Sequence, residues 1–86
     1  MDLKEILEIL VKGIVQTEEE VEVNESPGKI MHGKTTMHYT IRVRPEEFSL
    51  LVGKGGSTIK ALRIIMSKLA GKQKTMVFVD LDEEKR

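Results

Sequence analysis

The sequence contains no cysteine and no tryptophan, and its 86 residues include only two prolines, two histidines, one tyrosine and two phenylalanines. Without cysteine, disulfides and thiolate metal sites are excluded. His32 and His38 match no metal-ligand spacing, so we expect no metal and no cofactor. No nucleophile is paired with a suitably placed base, so we do not expect an enzyme. No apolar run approaches the about 20 residues of a membrane span, and acidic residues interrupt the N-terminal stretch. A cytoplasmic protein without a membrane partner is therefore expected.

The formal net charge is zero, but the charges are unevenly distributed along the chain. Residues 1–26 carry two basic and eight acidic side chains, whereas residues 27–79 carry ten basic and two acidic ones. Binding depends on the local field at one face of a protein and not on the total charge. A basic middle segment thus permits an anionic partner, provided that the fold gathers these charges on one side.

Apolar periodicity divides the chain into six elements, in the order helix, strand, strand, helix, helix, strand. A loop is expected between the first two strands, where a proline and two glycines interrupt the pattern. Either Ser57 or Thr58 is expected to cap the third helix. The predicted helices cover 3–15, 45–52 and about 58–70, the predicted strands cover 20–24, 37–43 and 76–81, and the predicted loop covers 26–34.

This element order predicts an α+β fold. The first two strands can pair as an antiparallel hairpin, and the helix pair then forms a right-handed crossover that places the third strand parallel to a neighbour. We expect a three-stranded mixed sheet that three helices cover on one face, within a single domain at 1–82. The charged residues 83–86 are expected to form a disordered tail.

The second strand has the clearest alternation of the three. Because successive side chains of a strand point to opposite faces, one face of the sheet should belong to the core and the other should be solvated and basic. The inward set is Met37, Tyr39, Ile41 and Val43, and the outward set is His38, Thr40, Arg42 and Arg44.

A glycine-rich tetrapeptide, Gly-Lys-Gly-Gly at 53–56, lies between the two central helices. Glycine has no side chain, so another molecule can approach the backbone closely there. The helix that follows begins with free N–H groups and the positive end of its dipole, which together favour an anion. Lys54 lies within the loop, and Lys60 and Arg63 lie one turn apart on the same face of the next helix. The segment therefore predicts a phosphate-binding site.

Two other interpretations of this segment are open. A nucleotide-binding P-loop needs Gly-x-x-x-x-Gly-Lys-[Ser/Thr] after a buried strand, whereas here the lysine precedes the last two glycines and a helix precedes the loop. Alternatively, the glycines only form a tight turn, and the protein is a protein–protein interaction module. The apolar residues of the third helix support this second interpretation, because they cover more than one stripe and exceed what a small sheet can bury.

The element order and the Gly-x-x-Gly between two helices resemble a KH domain of the bacterial, type II arrangement. The size of the chain and its Arg-Val-Arg-Pro-Glu-Glu-Phe lead-in are similar to those of the small bacterial single-KH proteins of the KhpA type. Three aromatic residues are too few for an RRM, which stacks bases on aromatic rings. The residues that carry the resemblance are Val52, Gly53, Lys54, Gly55, Gly56, Ile59, Lys60, Leu62 and Arg63.

The resemblance implies that the protein binds single-stranded RNA, with the RNA backbone against the glycine loop and about four bases in an apolar groove beside it. Val52 and Ile59 are expected as exposed aliphatic side chains of that groove, and Ser57 stands where many relatives carry arginine. The resemblance also implies pairing with a second copy as a homodimer, or with a second KH protein of the KhpB type. The implied RNA-binding residues are Val52, Gly53, Lys54, Gly55, Gly56, Ser57, Ile59, Lys60 and Arg63.

Overall fold

The computed structural model of the protein describes residues 2–82, and the prediction of a disordered tail at 83–86 lies outside the described residues. Three α-helices and three β-strands follow in the predicted order, with short 3-10 turns before β1, α2 and α3. Within the described residues, no helix combines the length and apolarity needed to cross a membrane. The elements are α1 (Leu3–Lys12), β1 (Glu22–Pro27), β2 (Thr35–Arg42), α2 (Phe48–Val52), α3 (Ser57–Gly71) and β3 (Thr75–Leu81).

Helix α1 begins at a capping side chain. The carboxylate of Asp2 accepts hydrogen bonds from the backbone N–H groups of Lys4 at 3.0 Å and Glu5 at 3.5 Å. These bonds satisfy amides that a helix leaves unpaired at its start. The helix ends at Lys12, earlier than predicted, and Gly13 is its C-cap. The buried stripe of α1 is Leu3, Leu7 and Val11.

Strand β2 is central in the sheet, which has the order β1-β2-β3. β1 pairs with β2 antiparallel, with Glu22 opposite Arg42, and β3 pairs with β2 in parallel, with Thr35 opposite Thr75. A parallel pair needs a crossover connection, and α2 and α3 supply it. The predicted α+β fold with a mixed three-stranded sheet and three helices is confirmed.

The loop predicted between β1 and β2 is partly a hairpin. The backbone groups of Met31 and Lys34 exchange two hydrogen bonds of 2.9 Å. Between them, His32 and Gly33 have φ values of 52° and 74°. Two positive φ values mark a type I′ turn, whose twist suits a hairpin. Residues 28–34, called the hairpin tip below, therefore project as an extension of the β1–β2 pair.

One hydrophobic core lies between the sheet and the helices. Tyr39 is the largest fully buried side chain, and its hydroxyl donates a hydrogen bond to Glu25 at 2.7 Å. Burial of the ring raises the pKa of Tyr39, and the hydrogen bond and charge of Glu25 raise it further. The other core residues are Leu3, Leu7, Val11, Val15, Val21, Val23, Ile41, Leu51, Ile59, Leu62, Met66, Ala70 and Val79.

The carboxylate of Glu47 joins the segment after α1 to the start of α2. Glu47 is only 7% exposed, and it accepts hydrogen bonds from the backbone N–H groups of Gln16 at 2.5 Å and Thr17 at 3.1 Å. Burial raises the pKa of Glu47, but the hydrogen bonds from Gln16 and Thr17 and the charge of Arg44 outweigh it, so the pKa lies below its ordinary value of 4.5. Glu47 therefore anchors the helix that leads into the glycine loop.

Replacing Glu47 with glutamine is expected to lower the melting temperature at pH 7 by roughly 5–10 °C. The amide has no charge and offers one acceptor oxygen in place of two to the N–H groups of Gln16 and Thr17. In the wild-type protein, the carboxylate contributes its full stabilisation above pH 4.5. That contribution is lost as the pH falls through the lower pKa of the folded state, since the unfolded chain binds the proton more tightly. Thermal unfolding followed by circular dichroism between pH 3 and 7 measures both effects.

The matched control is Glu46→Gln, which removes a neighbouring carboxylate that is exposed. This variant should melt within about 2 °C of the wild type, as is usual for exposed ion pairs. Equal shifts in the two variants would contradict the anchoring role of Glu47.

Candidate nucleic-acid interface

The glycine loop, Gly53–Gly56, joins α2 to α3 through a backbone that favours glycine. Gly53, Gly55 and Gly56 have φ values of 77°, 62° and 78°, a region that other residues rarely adopt. Only Lys54 carries a side chain within the loop, and this side chain is exposed. The loop therefore presents the exposed ammonium group of Lys54 between stretches of backbone without side chains.

The glycines of the loop differ in their surroundings. A Cβ at Gly53 would lie 2.7 Å from the backbone nitrogen of Thr58, so the first turn of α3 occupies the place of a side chain. Apart from its chain neighbours Lys54 and Gly56, a Cβ at Gly55 would have no atom of the described residues within 4 Å. Gly53 thus allows the loop to pack closely against α3, whereas Gly55 faces open space from which a ligand can approach.

Helix α3 begins without a side-chain cap. Its N-cap is Gly56, which is left-handed at φ 78° and ψ 13°, and no side chain in the described residues caps it. The predicted cap at Ser57 or Thr58 is wrong, because both residues already lie within the first turn and a side-chain cap needs an extended residue before the helix. The positive end of the α3 dipole is therefore available to an external anion.

Two lysines flank the loop. Lys54 and Lys60 are both exposed, and neither forms an ion pair within residues 2–82. The Cε atom of Lys60 lies 3.8 Å from the position that a Cβ of Gly56 would take. The side chain of Lys60 thus turns back toward the loop, so that its charge adds to that of Lys54.

Arg63 contacts β3 and not only solvent. Its Nε donates a hydrogen bond to the backbone carbonyl of Val79 at 2.9 Å, and its guanidinium lies 3.7 Å from the carboxylate of Asp80. Half of its side chain stays exposed. Arg63 therefore ties α3 to the outer strand, while Asp80 balances part of its charge. The spacing of residues along the sequence does not predict this contact, because Arg63 and Val79 are 16 residues apart and belong to different elements.

An open groove of about 560 Å³ runs between α3 and β3, and we call it the α3–β3 groove. It begins at Arg63, which lies seven residues beyond Gly56, or about 10 Å along the helix axis. Ile64 and Phe78, which are 58% and 40% exposed, supply its apolar surface. The residues that line it are Arg63, Ile64, Ser67, Lys68, Val77, Phe78, Val79 and Asp80.

The two aliphatic residues predicted for such a groove lie elsewhere. Val52 is half-buried at the end of α2, and Ile59 is only 7% exposed and belongs to the core. The expected exposure of Ile59 is therefore wrong, because this residue lies on the stripe of α3 that faces the sheet. Ile64 and Phe78 take the exposed apolar positions that sequence reasoning assigned to Val52 and Ile59.

The basic sheet face that the alternation of β2 predicts is neutralised. Arg42 lies 3.3 Å from the carboxylate of Asp82 and 4.0 Å from that of Glu22, and Arg44 lies 2.5 Å from that of Glu46. By contrast, seven lysines on α3, the hairpin tip and the adjoining turns have no ion pair within the described residues. These lysines are Lys29, Lys34, Lys54, Lys60, Lys68, Lys72 and Lys74.

The site combines two kinds of binding surface. Bare backbone, a helix N-terminus and two lysines suit an oxyanion such as phosphate. The α3–β3 groove beside them suits a flat apolar group. In the part of the chain that the structure describes, no three His, Cys, Asp or Glu side chains are grouped so as to hold a metal ion. The geometry thus fits a ligand with alternating phosphates and apolar rings.

The family described as "KhpA/KhpB, KH domain" matches this chain over residues 4–81. Several relatives carry the name "RNA-binding protein KhpA". The relative from Chlamydia pneumoniae is 31% identical over 83 residues, which cover 96% of this chain and 100% of the relative. That from Clostridium perfringens is 32% identical, over 92% of this chain and 99% of the relative. That from Thermotoga maritima is 42% identical, over 84% and 89%.

A solved structure shares the fold at low sequence identity. A crystal structure of Aquifex aeolicus Era bound to GDP and AlF4− matches with a TM-score of 0.63 and 14% identity. The match covers 95% of this chain but only 31% of the Era chain. The likeness therefore concerns the arrangement of helices and strands alone.

Proposed function

This chain belongs to the KhpA/KhpB KH-domain family, and we propose that it is a non-catalytic, cytoplasmic protein that binds single-stranded RNA through the glycine loop and the α3–β3 groove. The observation that carries the proposal is the loop itself, where bare backbone and an uncapped helix start meet two lysines that form no ion pair within residues 2–82. Members of this fold class hold about four nucleotides against such a loop.

The roles of the loop residues follow from their geometry. Gly53 brings the loop against α3, and Gly55 leaves space for the sugar-phosphate backbone of the RNA. Lys54 and Lys60 neutralise phosphates on either side of the loop. Ser57, exposed in the first turn of α3, offers a hydroxyl and a backbone amide at the same place.

The α3–β3 groove supports single-stranded rather than paired RNA. Ile64 and Phe78 expose apolar surface side by side in this groove, and unpaired bases have apolar faces that can cover it. Arg63 stands at the end of the groove nearest the loop, where its exposed half can meet a phosphate. Paired bases are already stacked and would present only their edges.

Changing Lys60 to glutamine is expected to weaken binding of a short single-stranded RNA about three- to tenfold at low salt, because one phosphate loses its counter-charge. The dependence of log K on log salt should become shallower by about 0.7. Fluorescence anisotropy titrations at several salt concentrations measure both quantities, and single-stranded DNA of the same sequence tests the preference for RNA.

Lys4→Gln is the control, because it removes the same charge at a distance from the loop. Lys4 lies at the start of α1, whereas the other end of this helix, at Gly13, lies near Thr58 and the loop. This variant should keep the affinity and the salt slope of the wild type. Equal losses in both variants would indicate a general charge effect and would contradict a phosphate contact at Lys60.

A second surface favours protein pairing in addition to RNA binding. A shallow apolar groove of about 320 Å³ lies between α1 and α3 on the other side of α3, and it is lined in part by Ile9 and Ile65, which are 70% and 41% exposed. We propose this face for a second copy of the chain or for a second KH protein of the KhpB type. Two linked loops would raise the avidity of a weak RNA site. Sedimentation velocity over a range of protein concentrations separates a monomer from a dimer.

A further inference from the structure

Two rings stack on the sheet face that the helices leave open. Phe78 of β3 and His38 of β2 are directly opposite in the parallel pair. Their ring centroids are 5.1 Å apart, and the planes differ by 18°. Such an offset stack is the preferred arrangement of two aromatic rings. His38 therefore covers one face of the Phe78 ring and fixes its orientation.

The second face of the Phe78 ring lies at the edge of the sheet. β3 is the outer strand, so among residues 2–82 no further strand pairs with it on the side away from β2. Phe78 is 40% exposed and lines the α3–β3 groove. A ring that is covered on one face and open on the other is a suitable surface for a second flat ring.

Positive charge flanks this ring at both ends. In the α3–β3 groove, Arg63 and Lys68 of α3 line the same opening as Phe78. A second groove of about 420 Å³ also includes Phe78, and Lys34 of the hairpin tip is among its lining residues. The two grooves share Ser67, Val77 and Phe78, so they adjoin at the ring and together form one track with basic residues along it. This track matches a chain of phosphates with bases between them.

The distance from the glycine loop fits the same ligand. Ile64 lines the groove together with Phe78, and it lies eight residues beyond Gly56, or about 12 Å along the axis of α3. Four nucleotides span about 14 Å even when they are fully stacked. A strand held at the loop can therefore place a base beside Phe78.

We propose that Phe78, held by His38, is a stacking platform for one unpaired base of the RNA strand. This inference rests on the proposed function, since it assumes that the glycine loop holds the RNA backbone. Stacking on an aromatic ring accepts any base, because every base has a π-face. Phe78 would therefore add affinity at one nucleotide position without selecting its identity.

The test compares Phe78→Leu with Phe78→Tyr. Leucine keeps an apolar side chain at this half-exposed position but has no ring, and tyrosine keeps the ring. We expect Phe78→Leu to bind an eight-nucleotide single-stranded RNA about 5- to 50-fold more weakly than the wild type, and Phe78→Tyr to bind within about twofold of it. Circular dichroism and thermal unfolding verify that both variants are folded.

A second readout reports the stacking itself. The fluorescent base 2-aminopurine, placed at each position of the RNA in turn, should be quenched at one position by the wild type and by Phe78→Tyr. This quenching should be absent with Phe78→Leu at saturating protein. Removing the base at that position should weaken binding to the wild type but not to Phe78→Leu.

The outcomes separate this inference from the proposed function. If wild-type protein binds RNA, and a loop variant abolishes binding while Phe78→Leu binds as tightly as the wild type, the platform is overturned and the proposed function stands. If wild-type protein binds none of the RNAs, both are overturned. Loss of affinity with Phe78→Leu that is equal for intact and base-free RNA also contradicts stacking.

Discussion

Placing two carboxylates in the glycine loop, by Lys54→Asp together with Gly55→Asp, is expected to weaken binding of a short single-stranded RNA by about 100-fold. The loop loses one positive charge and gains two negative ones next to the expected phosphate. Each like-charge contact near 4 Å costs about 1 kcal/mol in bulk water and about 4 kcal/mol at the effective dielectric near a protein surface, and about 1.4 kcal/mol corresponds to a factor of ten. Anisotropy titrations of both proteins against the same RNA measure the loss.

The double variant should remain folded. Aspartate tolerates the left-handed conformation of Gly55, where φ is 62°, better than most residues. Apart from the adjacent residues 54 and 56, no atom of the described residues would lie within 4 Å of a Cβ at this position. The far-ultraviolet circular dichroism and the melting temperature of the variant should therefore be close to those of the wild type.

The matched control is Lys54→Asn with Gly55→Asn, which makes the same demands on the backbone without adding negative charge. It should lose only the contribution of Lys54, about three- to tenfold. Wild-type affinity in a folded Asp/Asp variant would contradict the loop as the RNA site and would favour the protein-interaction module in which the loop is only a turn.

Replacing Gly53 with alanine is expected to reduce the free energy of unfolding by about 3 kcal/mol. At φ 77° and ψ 171°, Gly53 lies in a region that is essentially restricted to glycine, and forcing another residue into it costs about 1–3 kcal/mol. The new methyl group would also lie 2.7 Å from the backbone nitrogen of Thr58, which cannot move without distorting the first turn of α3. Urea denaturation measures the change in midpoint and slope.

Gly55→Ala is the control for the backbone contribution alone. Its φ is also positive, but its Cβ would point into open space, so the expected cost is about 1 kcal/mol. The difference between the two variants isolates the close approach of the loop to α3. If both substitutions cost the same, the contact between Gly53 and Thr58 is not a constraint on the loop.

The sequence contains strong local signals for most of the elements. The alternation of β2 identified its inward side chains, and Tyr39 and Ile41 are indeed almost fully buried. The glycine spacing indicated a sharp link between two helices, and the loop has three positive φ values. These features depend on residues close in sequence, so periodicity and backbone preference are sufficient to predict them.

Contacts between distant elements could not be read in this way. Arg63 was interpreted as part of an exposed cationic track, yet it also bonds to the carbonyl of Val79. No local pattern distinguishes Glu47 from Glu46, yet only Glu47 is buried, and it accepts backbone hydrogen bonds from Gln16 and Thr17 after α1. Both contacts depend on how α2 and α3 pack against the rest of the chain. Local sequence patterns do not predict this packing.

The exposed residues of α3 were difficult to predict for a different reason. Apolar side chains occur around more than half of this helix, so its sequence allows several orientations against the sheet. In the structure, Ile59, Leu62 and Met66 face the core, while Ile64 and Ile65 are exposed and line two different grooves. Only the placement of the neighbouring elements decides which apolar residue is available to a ligand.

The contact between Arg63 and Val79 has a consequence for solubility. An outer strand with unpaired carbonyl groups is a template on which another chain can add a strand and begin to aggregate. The guanidinium of Arg63 occupies one such carbonyl of β3, and the charge of Asp80 follows it directly. At the opposite margin of the sheet, β1 ends in Pro27, which has no N–H to donate. Both outer strands of the sheet therefore carry features that oppose the addition of a strand from another chain.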